Sequence, residues 1–352
     1  MTLWSSIRAT ILPRGVSDPL NRSVTRSVRS LFRTIANRFD TFEDRDRVMA
    51  MLGPISLLAL LLSWLALIIG AYWLIYMAVA TSSPITAIEL SGSSVTTLGT
   101  TTTTRGAAAL VTYTEAGLGL LIITLLITYL PSIYGAFSRR ENGVGLLVVR
   151  AGTPPRAVNM LVRFHRINEV GIRLSELWRV WEQWFVDVEE THSTFPILMF
   201  FRSPQPGQSW LTAAGVVLDT AAMWVAAIEH PVDPDAQLAL RAGFLTLRRL
   251  ADVSGLTYDP DPAPSDPISI SRREFDEALG ELAEAGLDVV ADRDAAWKAW
   301  AGWRVNYDSV LLNLARLVEA PPTPWVSDRS PMRRPAPISR SGRPRWPAGA
   351  RH

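Results

Sequence analysis

The chain has 352 residues, a formal net charge of +2 and no cysteine, which excludes disulfide staples and thiolate metal sites. A mean hydropathy of +0.15 suits a protein that lies partly in a membrane and partly outside it. Lys298 is the only lysine, so the abundance of arginine reads as compositional bias, and no nucleic-acid partner is expected.

Residues 1–47 read as a cytoplasmic N-terminal region. Met1 to Pro19 is turn-prone and is assigned no structure. Beyond it Val24, Val28, Leu31, Phe32, Ile35 and Phe39 recur at helical spacing, with Arg22, Arg26, Arg29, Arg33 and Arg38 at the positions between. This pattern predicts a basic amphipathic helix lying on the cytoplasmic leaflet of a membrane, its arginines toward anionic headgroups. Thr41-Phe42-Glu43-Asp44 then has the form of a helix start, with the threonine hydroxyl as cap.

From 48 to 138 the chain reads as one membrane unit, because Glu89, Arg105 and Glu115 are the only charges between Arg47 and Arg139. Val48 to Ala80 predicts a first span, longer than the roughly 20 apolar residues that cross the hydrocarbon core. Ser83-Pro84 supplies an N-cap and a proline at the first helical position, opening a short helix on which Glu89 is expected to face a polar pocket. Next comes Ser91 to Thr104, SGSSVTTLGTTTTT, in which ten of the fourteen residues carry a hydroxyl. Such a stretch cannot face lipid, where its polar groups go unsatisfied, but it can line a water-filled path among helices. Ala107 to Phe137 predicts a second span. In it Pro131 frees the carbonyl of Ile127 and predicts a bend where a gate would lie, while Gly117 and Gly119 serve either as a hinge or for close packing.

The segment 83–104, and Thr96-Thr97-Leu98-Gly99-Thr100-Thr101 within it, resembles the two-transmembrane bacterial potassium channel family, whose filter runs Thr-Val-Gly-Tyr-Gly after a short pore helix. The hydroxyl, aliphatic and first glycine positions match; threonine replaces both the aromatic residue and the second glycine, so the filter is divergent. The run Tyr129 to Glu141, YLPSIYGAFSRRE, is similar to the second-helix exit of the same family, and the likeness covers roughly residues 50 to 155. What the resemblance implies is an all-α membrane protein, with two transmembrane helices (48–80 and 107–137), a re-entrant pore helix and filter loop (83–104), and a helical cytoplasmic domain. It further implies a homotetramer that passes potassium or other monovalent cations along Thr96, Thr97, Leu98, Gly99 and Thr100, with no enzymatic activity and no cofactor. Arginines are dense on both flanks of the unit, which places both termini in the cytoplasm of a multi-pass plasma-membrane protein. A rival reading is a membrane-anchored scaffold or sensor whose pore segment is degenerate and does not conduct.

Residues 139–155 read as a linker ending in Gly152-Thr153-Pro154-Pro155, and 156–320 as a helical cytoplasmic domain. Its predicted helices are Arg156 to Arg166, Leu174 to Thr191, Ser209 to Glu229, Asp235 to Val253, Ser271 to Ala285 and Asp292 to Ala320. The third of these is apolar enough to be mistaken for a span, but Asp219 near its middle argues for a buried core helix. Trp178, Trp181 and Trp184 form one helical stripe, and Trp297, Trp300 and Trp303 another, both expected to face a core or a subunit interface. Glu189, Glu190 and His192 are close enough in sequence to reach a metal, yet read as solvated groups on an exposed helix. Neither a phosphate-binding glycine turn nor a nucleophile elbow is present. Residues 321–352, rich in proline and arginine, read as a disordered tail with anionic lipid as its partner.

Overall fold

A computed structural model describes residues 19–103, 106–167, 170–205 and 207–329. The expectations for the chain before Pro19, for Thr104 and Arg105, and for the tail beyond Arg329 therefore lie outside the described residues. Among the described residues the fold is all helical, with no strand and one isolated bridge between Ile228 and Val289.

Helices α1 (Pro19–Ala36) and α2 (Phe42–Ala50) lead into α3 (Leu52–Val79); a one-residue turn at Met51, itself right-handed helical in backbone, separates α2 from α3 inside the stretch expected as the first span from Val48. Thr41 caps α2 as anticipated, accepting the Asp44 N–H at 3.2 Å. The amphipathic α1 packs on the protein itself. Because the chain reverses at α2, α1 returns along α3, and its Leu20 and Val24 pack on the cluster of Leu60 and Trp64 while Val28 and Phe32 meet Met49 and Leu52. Leu31 and Ile35 stay exposed.

A short helix, α4 (Pro84–Val95), follows with Ser83 as N-cap, and then the single long helix α5 (Gly106–Ala151). At 46 residues α5 is about 69 Å long, running without a break past Pro131 and through Arg139-Arg140. The expected linker at 139–155 is thus mostly helix. The cause is Arg140, which is fully buried instead of ending the span at a water boundary. Its guanidinium donates to Glu141 Oε1 at 2.6 and 2.8 Å, to the Leu198 carbonyl at 2.7 Å and to the Phe201 carbonyl at 2.8 Å. Pairing with Glu141 offsets the charge, and the carbonyls use the remaining donors.

The C-terminal domain is built from α6 (Ala157–Arg166), α7 (Val170–Thr194), a 3₁₀ turn (Pro196–Phe200), α8 (Trp210–Ala227), α9 (Pro234–Ser254), α10 (Arg272–Glu284), α11 (Arg293–Arg304) and α12 (Asp308–Val318). Among the described residues three helical stretches are long and apolar enough to cross a membrane, namely Asp44–Val79, α5 and α8. Within one chain 89% of the apolar window of α8 is buried, against 33% and 17% for the other two. α8 is therefore a core helix wrapped by its neighbours, and α3 and α5 are the bare ones.

At the centre of this domain Arg304 is buried between Asp219 at 2.5 Å and Asp308 at 2.7 Å, and donates to the Trp325 carbonyl at 2.6 Å. Burial alone would lower the Arg304 pKa, but the two carboxylates hold it above its ordinary value. Tyr307 donates to Asp219 at 2.8 Å, and this contact coincides with the break that divides the expected helix Asp292–Ala320 into α11 and α12. The start of the expected tail is also ordered, with Val326 buried in the core and Arg329 paired with Glu274. Trp178, Trp181, Trp184 and Trp300 are core residues, and Trp297 and Trp303 are half-buried against them. His192 is not solvated: it is fully buried, with Nε2 3.1 Å from Arg140 Nη1. Burial first, and the Arg140 charge second, hold its imidazole well below the ordinary pKa, so it is neutral and accepts from the arginine.

Candidate functional site

The first two spans bracket α4, which packs against both α3 and α5. Its inner face is Ala87, Leu90, Ser91, Ser94 and Val95, all buried, and Ala87 and Leu90 meet Tyr76 of α3. Gly119 of α5 permits a close approach here, since a Cβ at that position would lie 2.1 Å from the Val95 carbonyl oxygen. Gly117 has open space around it. Of the two expected glycines, one is a packing contact at the end of the short helix and the other lies on the bare face.

The helix ends in a hydrogen-bonded C-cap. Leu98 N–H reaches the Ser93 carbonyl at 3.0 Å and Thr97 N–H the Ser94 carbonyl at 3.0 Å, the paired bonds of a Schellman motif. Its left-handed position is Thr97, at φ +55°, where glycine is the usual residue. Gly99, at φ +71°, is left-handed again. Two such residues separated by Leu98 turn the chain sharply, and among the described residues no hydrogen bond is accepted by the carbonyls of Thr97, Leu98 or Gly99. The loop is tethered further on, where Ser93 Oγ accepts the Thr101 N–H at 3.1 Å and Thr103 Oγ1 lies 3.3 Å from Thr112 Oγ1. Thr96, Thr97, Leu98, Gly99 and Thr100 are all exposed on the single chain. Thr96 turns its hydroxyl back to the Gly92 carbonyl at 2.6 Å.

Behind the loop is a run of buried hydroxyls. Tyr76 Oη is 3.1 Å from both Ser94 Oγ and Thr112 Oγ1, so α3, α4 and α5 meet at one phenol. Glu89 is exposed on the single chain, whereas the acid buried behind the loop is Glu115, which accepts from Ser91 Oγ at 2.5 Å. Sequence reasoning passed over Glu115, although a lone acid inside an apolar run was the available signal.

Chemically, the negative end of α4 and unpaired carbonyls on an exposed, glycine-bearing loop favour a cation over an anion. Among the described residues no cluster of histidine, cysteine, aspartate or glutamate could hold a resident metal.

No protein-family model matches the chain, and no solved structure matches it. A relative described as "Uncharacterized membrane protein YdjJ", from Bacillus subtilis (strain 168), is 26% identical over 285 residues, covering 73% of this chain and 81% of the relative. The two bare apolar helices and this similarity to a membrane protein both support a membrane location for a chain that is helical throughout its described residues.

Proposed function

We propose that this chain is one subunit of a cation channel, a homotetramer in the plasma membrane that passes potassium through loops built around Thr97-Leu98-Gly99. The carrying observation is the short helix held between two bare apolar helices, its carboxyl end capped at a loop whose left-handed Thr97 and Gly99 leave three successive carbonyls without partners among the described residues. One such loop supplies only part of the oxygen cage that replaces an ion's water, so several copies must surround a common axis.

The bare side of α5 supports the same reading. Gly117, Thr124, Thr128, Pro131 and Ser138 are exposed and recur at helical spacing on the side opposite Glu115, Gly119, Ile122 and Ile133. Leu120, Leu121 and Ile127 are exposed on the same side, so this is a mixed face, and its glycine and hydroxyl positions are the part that suits the wall of a water-filled path. In this arrangement both termini are cytoplasmic, the C-terminal domain hangs below the pore, and Pro131 lies near the inner mouth with Gly117 higher on the same face, as candidate gate positions.

Purified protein in liposomes loaded with potassium should support a potassium-driven flux. Gly99→Ala should abolish it without loss of helicity, since no atom crowds that position but its positive φ costs alanine roughly 1 kcal/mol. Absence of flux from the native protein would leave only the membrane-anchored scaffold.

A further inference from the structure

We propose that Glu115 is a positioning residue that fixes the carboxyl end of α4, and with it the loop at Thr97 to Gly99, against the second span. For its meaning in conduction the proposal rests on the channel reading above.

Thr112, Glu115 and Gly119 form one row along α5, and each faces the last turns of α4. Thr112 shares the Tyr76 phenol with Ser94, Glu115 takes the Ser91 hydroxyl, and Gly119 lies on the Val95 backbone. Glu115 is the central member of the row and is fully buried, and no basic residue pairs with it among the described residues. Its second oxygen, Oε2, has no partner among the described residues. A carboxyl placed inside an apolar span is costly, and an aliphatic side chain would fill the same space without that cost. What an aliphatic residue cannot supply is the bond to Ser91.

That bond sits at a branch point. Ser91 Oγ is 2.5 Å from Glu115 Oε1 on α5 and 3.3 Å from the Ile69 carbonyl on α3. A hydroxyl has one hydrogen, so Ser91 can donate to only one of them at a time. Ser91 lies just before Ser93 and Ser94, whose carbonyls close the cap on Leu98 and Thr97, and Ser93 also holds Thr101. Anything that lets Ser91 drift therefore loosens both ends of the loop.

Two readouts on the full-length protein in liposomes test this, one of them independent of conduction. In hydrogen exchange, Glu115→Leu should speed exchange of the Thr96, Thr97 and Leu98 amides about tenfold, the equivalent of one lost hydrogen bond. Glu115→Gln should exchange at the native rate, because its amide can donate to Ser91 Oγ while Ser91 donates to Ile69. Ser91→Ala should match the leucine variant, and the double variant should be no faster; it also tests the tie should the leucine variant fail to assemble. In mixed potassium and sodium, the reversal potential of Glu115→Leu should move toward sodium while that of Glu115→Gln stays put. Native exchange in both Glu115→Leu and Ser91→Ala, or additive effects of the two, would overturn the proposal whether or not the protein conducts. A silent native protein with accelerated exchange in the variants would instead remove the channel reading and leave the tie standing.

Discussion

Thr97 and Gly99 share a left-handed backbone but differ in what that conformation costs them. For a β-branched side chain it is unfavourable by roughly 1–2 kcal/mol, so the surrounding cap and the Thr101 tether must hold Thr97 there. Glycine adopts it freely, so on the channel reading Gly99 should be the most sensitive of the candidate filter positions. A second local case lies in the C-terminal domain, where Ser271 and Glu274 form a capping box on α10 and Arg329 donates to the same carboxylate. Burial by itself would raise the Glu274 pKa, but the Arg329 and Ser271 bonds together hold it down to about 2, from an ordinary 4.5. The unfolded chain therefore binds this proton at higher pH than the folded one. Stability from Glu274 is fully present above about pH 4.5 and is lost as pH falls toward 2. Arg329→Gln should consequently lose less stability than the native protein between about pH 5 and pH 3, read from thermal melts followed by circular dichroism.

Among the elements, α5 joins the membrane unit to the domain, and Arg140 is the fastening. Beside it, Ile133 and Ala136 pack on Ile197 and Leu198, the Phe137 ring meets that of Phe201 at a tilt with centroids 5.7 Å apart, and the Phe201 ring lies against Gly53 of α3. The 3₁₀ turn and its flanks thus touch the domain-side ends of both spans. Replacing Arg140 with methionine strands Glu141 and two buried carbonyls, and should destabilise the protein by roughly 3–5 kcal/mol in denaturant titrations. Lysine should not restore it, because one ammonium cannot span the directions that the guanidinium serves. This element also marks where sequence reasoning fails. The existence of α3, α4, α5 and α8 follows from apolar runs, a Ser-Pro start and Asp219, all local signals. The continuation of α5 does not, because an Arg-Arg pair after an apolar run reads as a boundary unless its partners are known. Those partners, Leu198, Phe201 and His192, are some sixty residues away, and the same separation hid the burial of His192. In the candidate site, the hydroxyl-rich loop was legible from composition, whereas Glu115 was not given its place because its partner Ser91 lies on another helix.

For the whole molecule, the exposed apolar faces of α3 and α5 require lipid or further copies of the chain, and the channel reading assigns part of α5 to each. Mass measurement in mild detergent should give four subunits, and a monomer or dimer as the sole species would remove that reading. Given four, the remaining question is how sharply the pore separates ions. The loop here is set by Thr97 and Gly99 in the left-handed region and by the Thr101 N–H bound to Ser93, whereas Thr100 and Thr101 themselves are not left-handed. A second left-handed turn beyond Gly99 would cost threonine what it does not cost glycine. On the channel reading the carbonyls of Thr97 and Leu98 should therefore line inner ion sites, with the outer sites left to threonine hydroxyls in place of the family's aromatic residue and second glycine. Such a pore should pass potassium and sodium with weaker discrimination than the family the loop resembles. The paired change Thr100→Tyr and Thr101→Gly supplies both missing parts and should move the reversal potential in mixed potassium and sodium toward the potassium limit. Strong potassium selectivity in the native protein, or no shift in the paired variant, would show that the outer half of the loop does not set the preference.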